Sequence, residues 1–416
     1  MKVLVVNWAW YPTGGDWTYI ENLSNLYEQN GFEIIPFSTE NPNNVKTKYP
    51  DNFVKSPDYK LLNKNKNLLN TAKAIRNSII SFDALKKLDQ ILKQQPDLKL
   101  AHLHNIHHYI TPAIIWRLKE AGIKIMWSLH DYKIICPDSL FISNGKLCEK
   151  CITGNFYSCA VNKCKKGSFG ASAIAAIEAY FYHSKKVYQQ VDAFLCPSQF
   201  LKKKFMQFGF PEDKFFVSNT CYDVSVIDNF INTEFKLPAT NDYILYVGRI
   251  EYIKGIITLI DAIKGTGIKL KIVGSGVLET ELKEYCAAQN IVEAEFLGFK
   301  NKAQVFELTY NARLIVCPSV CYENFPFAVV ESFLFSKPAI GSRIGGIPEL
   351  IIDGETGFLF EPGNPLDLRE KLLNLWNDEQ LLEKMKASTR NHAYKLVNFN
   401  AHWDKLKAVI DNLLIT

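Results

Sequence analysis

Residues 318–338 read PSVCYENFPFAVVESFLFSKP, and this stretch decides the fold. The run just before it, Leu314–Cys317, is apolar throughout and has the length of a buried strand. Glu323 lies in the loop that follows. A proline-started helix is expected from Pro326 onward, with Glu331 on its second turn. Strand, loop and helix in that order form the repeating unit of a parallel sheet. A similar unit stands upstream at residues 243–255, YILYVGRIEYIKG, where Arg249 and Lys254 follow the predicted strand Tyr243–Val247. Two carboxylates and two cations suit a molecule with hydroxyls at its ends and phosphates in its middle. A nucleotide-sugar is such a molecule.

Outward from these units the alternation continues. Strands are expected at Lys2–Val6, Ile34–Phe37, Leu100–Leu103, Ile125–Leu129, Ala193–Cys196 and Phe215–Val217. A second set is expected at Tyr243–Val247, Lys269–Val273, Glu295–Leu297, Leu314–Cys317 and Ala339–Gly341. Helical stretches lie between them, including Thr18–Gln29 and Thr111–Ala121. The pattern predicts an α/β protein of two units, 1–219 and 220–396. Residues 397–416 form a helix that packs back on the first unit through Trp403, Leu406, Val409, Ile410 and Leu413. Residues 41–70, rich in Asn, Lys and Pro, read as a long loop.

The chain has 416 residues of ordinary globular composition, enough for two to three domains. No run of 18 apolar residues suggests a transmembrane helix, and MKVLVVNWAW reads as a first strand rather than a signal peptide. A cytoplasmic, reducing location is expected. Charge is uneven. Residues 1–210 hold 27 Lys+Arg against 16 Asp+Glu, whereas the remainder holds 21 against 27. A basic first half suits an anionic partner such as the inner face of the plasma membrane, reached peripherally; a solvated surface is the equal alternative. Nothing points to nucleic acid.

Ligands of parallel sheets bind at the carboxyl edge of the strands. The candidates fall there: Gly248, Arg249 and Lys254 after one strand, Gly274 and Gly276 after the next, Gly298 and Phe299 after the third, and Ser319–Phe325 after the fourth. Asn324 reads as a helix cap. A diphosphate would rest on Asn324 and Phe325 at the helix start, with Arg249 and Lys254 around it. Fixed cations stabilise a departing diphosphate without a metal, and the chain has no Asp-x-Asp pair of the kind that holds one. Eight residues of helix rise about 12 Å, so Glu323 and Glu331 can serve the sugar and the ribose.

The segments YVGRIEYIKGIITLIDAI, IVGSG, FLGF, ENFPFAVVESFLFSKPAIGSRIGGIPELI and DGETGFLF resemble the retaining glycosyltransferases of family four. The resemblance runs from about Tyr243 to Trp376. It extends more weakly through Gly14–Gly15, His102–Asn105 and Ser128–Asp131. It implies two Rossmann-like domains facing each other across a cleft, the B-type (GT-B) fold. It also implies that the paired glutamates match Glu323 and Glu331, that Arg249 and Lys254 hold the diphosphate, and that Gly298, Phe299 and Lys300 receive the base. Gly14 and Gly15 would face the donor phosphate and His130 the donor sugar. Retention is implied, with the diphosphate helping to deprotonate the acceptor.

In the first unit, Trp10 stands among Trp8, Tyr11 and Trp17, either as an acceptor contact or as core packing. His104, Asn105, His107 and His108 form an imidazole-rich turn, read as an acceptor site. The stretch from about 136 to 167 carries five cysteines. Cys148, Cys151, Cys159 and Cys164 are expected to hold a structural zinc, with free thiols or an iron–sulfur cluster as alternatives. Four thiolates leave no open position, so this zinc would not be catalytic. The apolar stretch that follows, ending in Lys185 and Lys186, reads as core or as membrane contact.

These readings converge on a hexosyltransferase using a nucleoside-diphosphate sugar, with UDP-glucose or another UDP-hexose as a guess. The acceptor would be a glycan or lipid-linked glycan of the bacterial polysaccharide type. Two alternatives stay open: a nucleotide-sugar epimerase of the same design, and a non-catalytic donor-binding subunit.

Overall fold

The computed structural model describes residues 1–55, 76–107, 109–234 and 239–415. Residues 56–70 of the expected long loop, and His108, lie outside the described residues. The chain divides into two compact units, Met1–Asn219 with Phe399–Thr416, and Thr220–Asn398. No helix among the described residues is long and apolar enough to cross a membrane.

The first unit is built on strands β1 (Lys2–Val6), β2 (Glu33–Thr39), β3 (Phe53–Val54), β4 (Leu100–Leu103) and β5 (Lys124–Ser128). A short hairpin follows, β6 (Ile142–Ser143) and β7 (Lys146–Leu147), and then β8 (Ala193–Cys196) and β9 (Phe215–Val217). The sheet order is β3-β2-β1-β4-β5-β8-β9, and all its pairings are parallel. Part of the stretch read as a loop is thus ordered: β3 adds to the edge beside β2, in register Ser38 to Phe53. Its two residues are too short for any periodicity to show.

The second unit has β10 (Tyr243–Val247), β11 (Lys269–Val273), β12 (Ala294–Gly298), β13 (Leu314–Cys317), β14 (Ala339–Ser342) and β15 (Gly357–Phe360). Their order is β12-β11-β10-β13-β14-β15, again fully parallel. Both faces of the sheet are covered, which is why its central strands β10 and β13 are apolar runs, whereas β11 and β12 carry Lys269, Lys271 and Glu295 among their apolar residues. On one side Ile244, Ile272, Val316 and Ile340 pack with Leu259, Ile263, Leu368 and Leu372 of the helices Ile256–Ile263 and Pro365–Asn377. On the other, Val329, Val330 and Phe333 of the helix Phe327–Leu334 pack with Ile351, Leu359 and Ala393.

The C-terminal helix Phe399–Ile415 belongs to the first unit. Trp403 meets Phe32 edge-on at 5.6 Å and Tyr27 at 6.1 Å, while Leu406, Val409 and Ile410 are buried.

Two loops of the second unit interlock. Gly346 N–H donates to the Glu323 carbonyl at 2.6 Å. Gly345 has φ +61°, and a Cβ there would lie 2.4 Å from the Glu323 carbonyl oxygen and 2.6 Å from its nitrogen. Only glycine lets the loop after β14 approach Glu323 so closely. Gly345→Ala should therefore cost about 1–3 kcal/mol in urea unfolding. Gly354→Ala, also at positive φ but with nothing within 4 Å, isolates the backbone cost and should be milder. Equal losses in the two variants would show that the contact with Glu323 carries no strain.

Candidate active site

Sheet order reverses direction between β10 and β13, and the loops leaving these two strands carry the charged candidates. Such switch points are where open parallel sheets bind ligands. The loops are drawn together by backbone bonds. Gly248 N–H donates to the Val273 carbonyl at 3.0 Å, and Ile250 N–H to the Ser275 carbonyl at 3.0 Å. A Cβ on Gly274, at φ +134°, would fall 1.8 Å from the Gly248 carbonyl oxygen. Val320 N–H donates to the Ile253 carbonyl at 2.9 Å, which sets the loop after β13 against Lys254.

The outcome is a buried ion pair. Lys254 Nζ donates to Glu323 Oε1 at 2.5 Å, and Ser319 Oγ donates to the same oxygen at 2.6 Å. Burial alone would lower the Lys254 pKa, but the Glu323 carboxylate beside it more than offsets this and holds it up at about 12. Burial likewise raises Glu323, yet Lys254 and Ser319 leave it below its ordinary value. Both groups are therefore charged at neutral pH. Both bonds fall on Oε1, so Oε2 of Glu323 is left to an outside donor.

Arg249 is arranged differently. Its side chain is 64% exposed and meets Glu251 at 3.0 Å. The buried Tyr246 hydroxyl donates to the Arg249 carbonyl at 2.7 Å and fixes the backbone beneath it. Glu331 sits on the second turn of its helix, as expected, and accepts from Tyr222 Oη at 3.0 Å. Burial raises its pKa, with Lys302 and Tyr222 opposing. The expected capping by Asn324 is not found. Pro326 occupies the cap position without a side-chain bond, and the helix begins at Phe327. Proline fixes its own φ and gives no donor, so the chain turns in without a polar cap. Phe325 packs in the core against Phe327, so a ligand would meet its backbone and not its ring. Gly298 ends β12 at φ +68°, Phe299 is 79% exposed, and Lys300 is half-buried.

In the first unit, Gly14 is the cap and Gly15 the first residue of the helix Gly15–Gln29, both exposed. Asp16 follows, accepting from Asn105 Nδ2 at 3.1 Å and from Thr13 Oγ1 at 3.1 Å. His130 lies two residues past β5, and its Nε2 and His104 Nδ1 share a hydrogen bond of 3.0 Å. His104 in turn stacks on His102 with centroids 4.6 Å apart. His102 pairs with Ser128 Oγ at 2.8 Å and Tyr27 Oη at 3.0 Å, and His402 with Ser218 Oγ at 3.0 Å. Burial lowers His102 to about 3 and His130 and His402 to about 4, with His104 also well below its ordinary value. All four imidazoles are neutral at pH 7.

The structure buries two of the three expected acceptor contacts. His104 is 1% exposed and supports His130 from below, while Trp10 is 6% exposed and packs edge-on against Trp17 at 5.6 Å. Neither offers a face to a sugar. Asn105 is half-buried and committed to Asp16. Residues that sequence reading passed over are Tyr222, Asp16 and Gly345, while Ser319 was placed at the sheet edge but given no partner. The GG in SRIGGIPEL was a visible signal for Gly345.

None of the ten cysteines is joined in a disulfide. Cys151 and Cys159 are buried with Phe156, Ala176 and Ala179, and Cys164 packs against them. Burial pushes the Cys159 thiol up to about 12 and Cys151 up as well, with Cys136, Cys159, Cys164 and Cys148 all adding to the effect on Cys151. The thiols thus share one neighbourhood. Among the described residues, however, no group of three or more His, Cys, Asp or Glu is arranged to hold a metal ion.

Comparison with known proteins follows the same division. Residues 228–392 match the family described as glycosyl transferases group 1, and residues 13–234 match glycosyltransferase family 4. An uncharacterised glycosyltransferase of Methanocaldococcus jannaschii is 31% identical over 226 residues, 54% of this chain and 59% of that protein. The D-rhamnosyltransferase WbpZ of Pseudomonas aeruginosa is 35% identical over 148 residues, 34% of this chain and 38% of that protein. The chain thus spans less than two thirds of the length of these relatives. The crystal structure of Anabaena HepE in complex with UDP and glucose superposes with a TM-score of 0.65 at 16% identity, covering 99% of this chain and 100% of that one. That likeness is one of fold, the B-type architecture of two Rossmann-like domains. The family match over residues 13–234 takes in more than half of the sequence, and the chain belongs to glycosyltransferase family 4.

Proposed function

We propose that the protein is a retaining glycosyltransferase that moves a hexose from a nucleoside-diphosphate sugar to a glycan or lipid-linked glycan in the cytoplasm. The observation that carries this reading is the Lys254–Glu323–Ser319 cluster at the switch point, with Arg249 on the same loop as Lys254. A nucleoside diphosphate gains negative charge as its bond to the sugar breaks. The preorganised Lys254 would stabilise that charge where it forms, and Arg249 would join it by turning from Glu251 to the phosphate. The two carboxylates are suited to hydroxyls: each has Oε1 engaged by the protein, Glu323 through Lys254 and Ser319, Glu331 through Tyr222. Their remaining oxygens would accept from sugar and ribose. UDP-glucose or another UDP-hexose is the proposed donor, supported by the UDP and glucose bound to the fold neighbour HepE. A lipid-linked acceptor places the work at a membrane surface, which the basic first half of the chain suits.

We also propose a structural zinc on Cys148, Cys151, Cys159 and Cys164. The support is the C-x2-C spacing of the first pair and the gathering of Cys151, Cys159 and Cys164 around one small apolar cluster, with Cys148 three residues before Cys151. Loading would require the thiols to close on the ion and lose their protons.

Two tests follow from these readings. Lys254→Ala should cut donor hydrolysis at least about 100-fold, as loss of a preorganised charge does. Arg249→Ala and Glu331→Ala should weaken nucleotide binding in a thermal-shift assay. Wild-type hydrolysis in Lys254→Ala would end the proposal, and an inverted product anomer, read by NMR, would end the claim of retention. Metal analysis of protein purified without chelator should give close to one zinc per chain, lost in Cys148→Ser with Cys151→Ser. A zinc content near zero in the wild type would remove the site.

A further inference from the structure

The helix Phe169–Ser184 is apolar on nearly every side, and such helices are normally enclosed. Here one face is not. Its exposed positions are Phe169, Ile177 and Tyr180, at 59%, 55% and 42%, with half-exposed Ala173 between them. Their spacing of four, four and three residues makes a single stripe along the helix, without a charged residue on it. The short helix Tyr157–Val161 widens the stripe. Its Tyr157 N–H donates to Tyr180 Oη at 3.2 Å, and Tyr157 and Val161 are 59% and 66% exposed. Soluble proteins scatter exposed apolar residues singly; a contiguous group calls for an occupant.

Charge indicates which occupant. Between Asn144 and Lys186 the chain has seven lysines and two acidic residues. Both acids are neutralised by lysines from outside this segment. Glu149 pairs with Lys204 at 2.6 Å and Glu178 with Lys133 at 2.9 Å. Lys146, Lys150, Lys163, Lys166, Lys185 and Lys186 are exposed and take part in no ion pair among the described residues. Lys163 and Lys166 lie in the connection between the two helices, and Lys185 and Lys186 at the far end. An aromatic and aliphatic stripe framed by unpaired lysines is the composition of a surface that rests in the headgroup layer of an anionic bilayer. A second copy of the chain fits poorly, since it would set lysines against lysines.

We propose that this face, formed by the helices Tyr157–Val161 and Phe169–Ser184, docks on an anionic lipid bilayer. The proposal deepens the peripheral membrane reading given above and is independent of the donor site. The test is co-sedimentation of the full chain with vesicles of phosphatidylglycerol and phosphatidylcholine, at low and high salt, against vesicles of phosphatidylcholine alone. Binding is expected to the anionic vesicles at low salt and to fall at high salt. Lys166→Gln with Lys185→Gln should weaken it about 30-fold, and Val161→Ser with Ile177→Ser at least about tenfold. All four positions are exposed, so circular dichroism and nucleotide affinity should match wild type and separate this result from any failure of the donor site. The proposal is overturned by absence of binding at low salt, or by wild-type binding in both double variants. It is also overturned if sedimentation velocity shows a dimer that Val161→Ser with Ile177→Ser dissolves.

Discussion

Lys254 and Glu323 attract each other across 2.5 Å in a place where neither is more than a fifth exposed. Two charges withdrawn from water are costly unless their geometry is good and their other hydrogen-bonding positions are served. The second unit meets both conditions. Ser319 adds a hydrogen bond to the carboxylate, and three loops are locked so that the pair has one geometry. Gly345 permits the contact on one side of Glu323, and Gly274 permits the loops after β10 and β11 to touch on the other side of the sheet's switch point. The glycines, the strand order and the ion pair are one construction. A charge fixed in this way needs little reorganisation when a phosphate arrives.

The positions of the central strands were readable because fully covered parallel strands are apolar runs, and VLVV, YILYV and LIVC are such runs; their order in the sheet was not. What failed did so for identifiable reasons. β3 is two residues long and β15 lies in the turn-like DGETGFLF, so neither offers a period. Asn324 is a strong cap by residue type, but Pro326 sets the chain direction two residues later. Trp10 and His104 are polar-edged residues in a loop and a strand end, and sequence does not say which of them the fold covers. Burial of His104 depends on a partner far away in the chain, the helix-borne Tyr19, and that of Trp10 on how the loop folds against Trp17 seven residues later. Glu331 was legible as a position, whereas its partner Tyr222, 109 residues earlier, was not.

The first unit solves a different problem with the same economy of charge. Four neutral imidazoles occupy its interior, and each needs a donor and an acceptor role assigned. His104 Nε2 is buried without a partner. The 3.0 Å bond between His104 Nδ1 and His130 Nε2 couples the two tautomers, because one nitrogen must donate and the other accept. His402 closes the network from the C-terminal helix through Tyr19 Oη at 3.3 Å and Ser218 Oγ at 3.0 Å. That helix therefore contributes more than apolar cover; its His402 adds a polar partner for Tyr19 Oη and Ser218 Oγ.

Arg249 and Lys254 are five residues apart on one loop, yet they are held in opposite ways. Lys254 cannot leave Glu323 without stranding a buried carboxylate, so its contribution to any ligand is a fixed field. Arg249 pairs with Glu251 at the surface, where such pairs are worth about 0–1 kcal/mol. Turning from Glu251 to a phosphate costs it little, and its planar fork matches two phosphate oxygens as an ammonium does not. The exposed cation suits capture and the buried one suits the moment of bond breaking. Exchange of the two residue types would lose both advantages: a lysine at 249 gives up the fork, and an arginine at 254 is too long for a space already closed by Ser319 and Glu323.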